Sequence, residues 1–304
     1  MKENVTCNLC GSTQYSVIFE EIPDREDVDI TAKYSAAKGI ICTDQVVKCE
    51  KCGLVYINPR LKADTIIDAV SKGDDEIYVS QRESRIETFR RGIALIEKFS
   101  STPGKILDMG CAAGFFLAAA KENGWDPYGV EPNTFLCNYG KQEFGLNVFN
   151  GTLKDIHFPD SFFDVVTMWD VLEHTPDPSS ELKEANRILK SNGILVINFP
   201  DFSSKWVMIF RRKWWFLLSH HLYYFTPDTL KQLLYKNGFE IVSQQPHVQK
   251  LKLGYMVDMM TRLNEKGISH KMYSFAGSVI RFVHLGNWNI SYSLSQTNII
   301  SRKK

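Results

Sequence analysis

The chain lacks an excess of charge of either sign: 36 Lys and Arg face 35 Asp and Glu, a formal net of +1 over 304 residues. That balance exerts no general pull toward nucleic acid or an anionic membrane. It lacks any apolar stretch approaching the ~20 residues needed to span a bilayer. Its first residues, MKENVTCNLC, lack the apolar run of a secretion signal. Internal repeats and low-complexity tracts are absent too. What is left has the apolar content of 44% and charged content of 23% of a globular chain. Its length suits one ordinary domain plus a small one. A cytoplasmic location is expected, where the seven cysteines stay reduced unless bound to metal.

Cysteine is scarce, yet four of the seven are paired. Cys7-Asn8-Leu9-Cys10-Gly11 and Cys49-Glu50-Lys51-Cys52-Gly53 are matching knuckles. A two-residue spacer lets both thiolates of a pair face one ion, and the Gly after each pair permits the tight turn. The spacing predicts a structural zinc ribbon rather than a redox dithiol, with Cys7, Cys10, Cys49 and Cys52 as ligands. Cys42, Cys111 and Cys137 read as small buried residues. The knuckles are 38 residues apart, beyond the usual ~15–20, so a loop over residues 23–38 should protrude. Ribbons often bind nucleic acid, but Glu20 to Asp29 reads EEIPDREDVD, a stretch that phosphates would avoid. A role other than nucleic-acid recognition is expected of this one.

The fingerprint of a dinucleotide site, G-x-G-x-x-G, is also missing. Residues 105–131, KILDMGCAAGFFLAAAKENGWDPYGVE, instead read as strand, small-residue turn, helix and a second strand ending in an acid. Gly110, Ala112 and Gly114 let the backbone pass close to a ligand. The helix from Phe115 directs free N–H groups at the same crevice. Glu131, at the end of the second strand, can accept both hydroxyls of a ribose. The turn is D-x-G-x-A-x-G, opened by Asp108. An anion there would repel a pyrophosphate but suits a ligand carrying an ammonium and a sulfonium, which is the chemistry of S-adenosylmethionine (SAM). Here the chain resembles the class I SAM-dependent methyltransferases.

Later segments extend the resemblance to the C-terminus. Asp164-Val165-Val166, Asp170 and Leu172-Glu173-His174 look like the family's fourth strand and the turn after it. A helix over 181–190, Asn192-Gly193 and a strand over 194–198 follow, and 220–242 resembles the run into the last helix and sixth strand. The implied fold is α/β: a Rossmann-like seven-stranded methyltransferase domain preceded by a small zinc ribbon. Residues 1–60 form the ribbon, 61–103 a helical linker packing on the catalytic domain, and 104–304 that domain, with a lid insertion at about 201–222. Helices are expected over 60–70, 83–99 and within 249–285. The polar C-terminal segment is a last strand with no catalytic candidate.

By the same resemblance, Asp108, Gly110, Cys111, Gly114 and Phe115 hold the methionine part of SAM. Glu131 and Pro132 hold its ribose, Thr152 and Leu153 lie at its adenine, and Asp170 borders the methyl group. A hydroxyl acceptor needs a proton acceptor, for which His174 and His221 are placed, with His220 behind them and Asp170 as the acid alternative. The segment 201–220 holds Arg211-Arg212-Lys213 among aromatics. It is read as a lid whose cations suit a phosphate-bearing acceptor, over a membrane-surface strip. The expected activity is methylation of a small molecule, a sugar or nucleotide-linked sugar first, with no nucleic-acid partner. An RNA methyltransferase and a non-catalytic SAM-binding or zinc scaffold are the alternatives.

Overall fold

Ile106 and Leu107 have no exposed surface in the strand Lys105–Met109 (β1). Strands buried on both faces read as unbroken apolar runs. The computed structural model describes residues 2–23, 30–34, 40–73, 76–100, 102–263, 268–282 and 285–304. After β1 come Asp126–Glu131 (β2), Asn147–Asn150 (β3), Phe163–Trp169 (β4), Leu189–Pro200 (β5), Phe239–Pro246 (β6) and Gln296–Lys303 (β7). They form a seven-stranded sheet ordered β6-β7-β5-β4-β1-β2-β3. Strand β7 runs antiparallel to both its neighbours, whereas β1 pairs in parallel with β2 and β4. Strand order therefore reverses at β1, and the carboxyl ends of β1 and β4 open the crevice where such sheets bind ligands.

Local signals end the helices where the sequence marks them. Asn133 caps Thr134–Phe144 by accepting from the Leu136 N–H at 2.9 Å, and Gly145 closes it at φ 57°. Asp177 caps Pro178–Ile188, and Thr226 and Thr229 form a reciprocal capping box ahead of Pro227–Lys236. Among the described residues no helix is long and apolar enough to cross a membrane.

The N-terminal residues build a four-stranded antiparallel sheet from Tyr15–Phe19, Val46–Cys49, Val55–Ile57 and, from far along the chain, Tyr223–Tyr224. Tyr223 pairs with Tyr56 and Tyr224 with Val55. Cys7, Val47 and Tyr56 share one apolar cluster with Leu107, Val166 and Leu195 of the central sheet.

Three expectations change. Arg60 opens no helix: Arg60–Leu61 pairs as a strand with Lys2–Glu3, and the helix is Ala63–Ser71. Within 249–285 the helices Leu253–Leu263 and Ile268–Phe282 form, but Gln249–Lys252 is a strand. The C-terminal segment divides, since Asn289–Tyr292 pairs with Gln249–Lys252 and only β7 joins the main sheet. Ladder partners far along the chain decide these cases, and local patterning does not carry that information. The protruding loop and the acidic stretch fall largely on 24–29 and 35–39, which lie outside the described residues.

Candidate active site

The turn after β1 takes left-handed backbone at Gly110 (φ 64°), Ala112 (φ 46°) and Gly114 (φ 76°). At Gly110 a Cβ would also meet Val171 Cγ2 at 2.7 Å. The N–H groups of Gly110 and Cys111 donate to the Val130 carbonyl at 2.8 and 3.1 Å, which fixes the turn beside the end of β2. There Glu131 is buried, one carboxylate oxygen accepting from the Ala112 N–H at 2.7 Å and the other from the Asn133 N–H at 2.8 Å.

Gly110, Glu131, Pro132, Thr152, Leu153 and Asp170 line one cavity of about 1010 Å³. Thr152 is set by Asp155, which accepts from its N–H and its hydroxyl, both at 2.7 Å. The other expected SAM contacts lie behind the wall. Asp108 is buried and accepts from the Thr167 hydroxyl at 2.7 Å, and burial holds its carboxyl well above the usual range. Cys111 packs under Gly129, and Phe115 stacks on Tyr78 with centroids 5.6 Å apart. Gly114 precedes the helix Phe115–Glu122 as its N-cap.

At the end of β4, Asp170 has φ 53° and accepts from the Gln296 side-chain amide at 2.6 Å. Burial raises its carboxyl to about 6, against the pull of Gln296 and the Arg85 guanidinium. Nearby, the rings of His174, His220 and His221 lie with centroids 4.7–4.9 Å apart. One nitrogen of each lies within 4.8 Å of the others, close enough to face one shared ion. His174 Nδ1 is 2.9 Å from the His220 carbonyl. A carbonyl only accepts, so Nδ1 carries the hydrogen and Nε2 keeps its lone pair. Burial lowers His174 to about 4 and puts His220 and His221 well below their ordinary value. All three rings are neutral near pH 7.

The sequence missed three members of this cavity region. Gln296 comes from the segment that offered no catalytic candidate. Arg85, on the helix Arg82–Ile96, lies over the Tyr78 ring at 3.9 Å and lines the cavity. Glu173 is buried with neither carboxylate oxygen partnered among the described residues. Trp215 and Phe216 of the expected lid do line the cavity, but Arg211, Arg212 and Lys213 do not. Arg212 instead donates to the Glu20 carbonyl and packs on Phe19.

The Sγ atoms of Cys7, Cys10, Cys49 and Cys52 all lie within 4.8 Å of one another, with Cys7–Cys52 at 3.4 Å and Cys10–Cys49 at 3.5 Å. A tetrahedral ion with bonds of ~2.3 Å sets sulfurs roughly 3.8 Å apart, so the cluster fits one. Burial pushes the Cys7 thiol up to about 11. Cys49 is brought down to about 7, against its own burial, by the N–H groups of Cys52 and Lys51. The first knuckle is tied to the catalytic half: Asn8 donates to Asp177 at 2.8 Å and accepts from the Ser179 N–H at 2.9 Å, and Lys236 donates to the Leu9 carbonyl at 2.7 Å.

A family model described as a methyltransferase domain matches residues 78–244, more than half of the chain. The chain is 32% identical over 115 residues to a Haemophilus ducreyi protein named ubiquinone biosynthesis O-methyltransferase, covering 34% of this chain and 49% of that protein. A Methylococcus capsulatus protein of the same name is 32% identical over 117 residues, covering 36% and 49%. The chain thus spans about half the length of these curated relatives. Among solved structures, a SAM-dependent methyltransferase from Archaeoglobus fulgidus superposes with TM-score 0.51 at 20% identity, covering 75% of this chain and 100% of that one. At that identity the likeness is one of fold.

Proposed function

Because the chain belongs to the methyltransferase-domain family, whose model spans residues 78–244, we propose that it carries a methyl group from SAM to a hydroxyl of a small molecule. The acceptor class we favour is a sugar or nucleotide-linked sugar. One observation carries this reading: the nucleoside-binding set (Gly110, Glu131, Thr152) and the proton-handling set (Asp170, His174, His221) face the same cavity. O-methylation also has the support of the relatives' names.

SAM, when bound, supplies a methyl group activated by its sulfonium. Glu131, pinned by two backbone N–H groups in the cavity wall, receives the ribose hydroxyls. Asp170 takes the proton from the acceptor oxygen as that oxygen gains the methyl group and sulfur keeps the electron pair of the broken bond. A carboxylate raised to about 6 is better matched to this task near pH 7 than an imidazole lowered to about 4. His174, half-buried, and His221, buried, are neutral and orient the acceptor hydroxyl. Trp215 and Phe216 close the cavity from the lid side and exclude water. Cys7, Cys10, Cys49 and Cys52 would hold a structural zinc ion, closed to substrate, as suits a reducing cytoplasm.

The test is direct. Purified protein with SAM and a cell extract is expected to yield a metabolite heavier by one methyl group, read by mass spectrometry. Calorimetry is expected to give SAM binding that Glu131→Ala weakens. SAM binding with no methylated product from any extract would refute the enzymatic reading.

A further inference from the structure

We propose that the tip of the lid docks on an anionic lipid bilayer, so that the strip walling the cavity is also the protein's membrane-facing surface. In a chain balanced at +1, residues 202–221, FSSKWVMIFRRKWWFLLSHH, contain four Lys or Arg and no Asp or Glu. The helix Lys205–Phe210 leaves Met208 79%, Ile209 63% and Phe210 40% exposed. Lys205, Arg211 and Lys213 flank this apolar tip in the chain and are themselves exposed. Phe210 joins it to Trp206 and Trp215, the three rings bracing one another with centroids 5.5–6.0 Å apart. Trp215 then continues into the cavity wall.

Apolar side chains fringed by cations match the two layers of a bilayer surface, acyl boundary and anionic headgroups. A second copy fits poorly, because a two-fold contact through this tip sets the cations of one copy against those of the other. Nucleic acid would satisfy the cations but leave Met208 and Ile209 without an apolar partner. The cations that do not reach the cavity thereby gain a role outside it. The proposal does not depend on methyl transfer, since docking is read without turnover.

The experiment is co-sedimentation of the full chain with vesicles of phosphatidylcholine alone and of phosphatidylcholine with phosphatidylglycerol. Binding is expected only with the anionic lipid and should weaken with salt. Arg211→Glu with Lys213→Glu removes two surface cations, each worth about fivefold, so affinity should fall at least ~30-fold. Met208→Asp with Ile209→Asp should abolish binding while SAM affinity stays parental, which excludes misfolding. The proposal is overturned if the anionic vesicles bind no protein, or if both double variants bind like the parent. It is equally overturned if the variants instead abolish self-association or release copurifying RNA.

Discussion

Asp170 and the three histidines offer two candidate bases whose titrations lie far apart, and that separation makes the assignment testable. If Asp170 takes the proton, kcat/KM must rise with pH through about 6, because only the ionised carboxylate accepts. If His174 takes it, the limb lies near 4. Gln296 refines the test. Its amide hydrogen bond favours the charged carboxylate, so Gln296→Ala should move the limb to higher pH; an unmoved limb would exclude Asp170. Replacing Glu131 by Ala should cost roughly 2–3 kcal/mol of SAM binding, the worth of hydrogen bonds to a charged group, measured by calorimetric titration. Glu131 was legible because strand, turn, helix and acid follow one another in 27 residues of sequence. Gln296 was not. It reaches Asp170 across 126 positions, placed by β7 lying beside β5 with Gln296 opposite Pro200.

Among the elements, the turn after β1 and the two knuckles make separate demands on the backbone. Gly110→Ala would place a Cβ 2.7 Å from Val171 Cγ2 at a φ of 64°. The left-handed backbone alone costs Ala about 1–2 kcal/mol, so the melting temperature should fall along with SAM affinity. A variant with parental melting would mean that the turn relaxes freely. In the ribbon, Cys10→Ser should abolish metal binding, read by elemental analysis beside the parent. It should also lower turnover, because the ribbon strand Val55–Ile57 holds Tyr223–Tyr224, one residue beyond the histidine pair. The Ile57 N–H also donates to the Leu222 carbonyl at 3.0 Å. Parental turnover without metal would show that the histidines need no such anchor. The knuckles and the β1 turn were readable from sequence, each being written in a few adjacent residues. Arg60–Leu61 and Gln249–Lys252 were not, because their partners lie far along the chain.

At the scale of the whole molecule, the sheet of seven strands agrees with what the resemblance implied. The union of ribbon and catalytic half had no local signal. One apolar cluster runs from Cys7 and Tyr56 through Phe225 to Leu107 and Val166. Arg60 adds a buried tie, donating to the Tyr223 hydroxyl at 3.1 Å and the Pro176 carbonyl at 2.7 Å. Shared burial of this kind makes unfolding cooperative. Scanning calorimetry of the metal-loaded protein should therefore give one transition, and chelation should shift the whole of it downward. Two well-separated transitions, the smaller one alone responding to chelator, would mean that the ribbon melts by itself.

The Tyr223–Tyr224 strand has a consequence for how the protein is made. The ribosome releases all four knuckle cysteines and three strands of their sheet early, while the fourth strand is still untranslated. At ~5–20 residues per second, Val55–Ile57 waits roughly ten to thirty seconds with an open edge. During that interval a metal ion on the four cysteines would tie the two knuckles of the nascent ribbon together. Metal supply at the moment of synthesis should therefore govern the yield of active chain more than metal added to the finished protein.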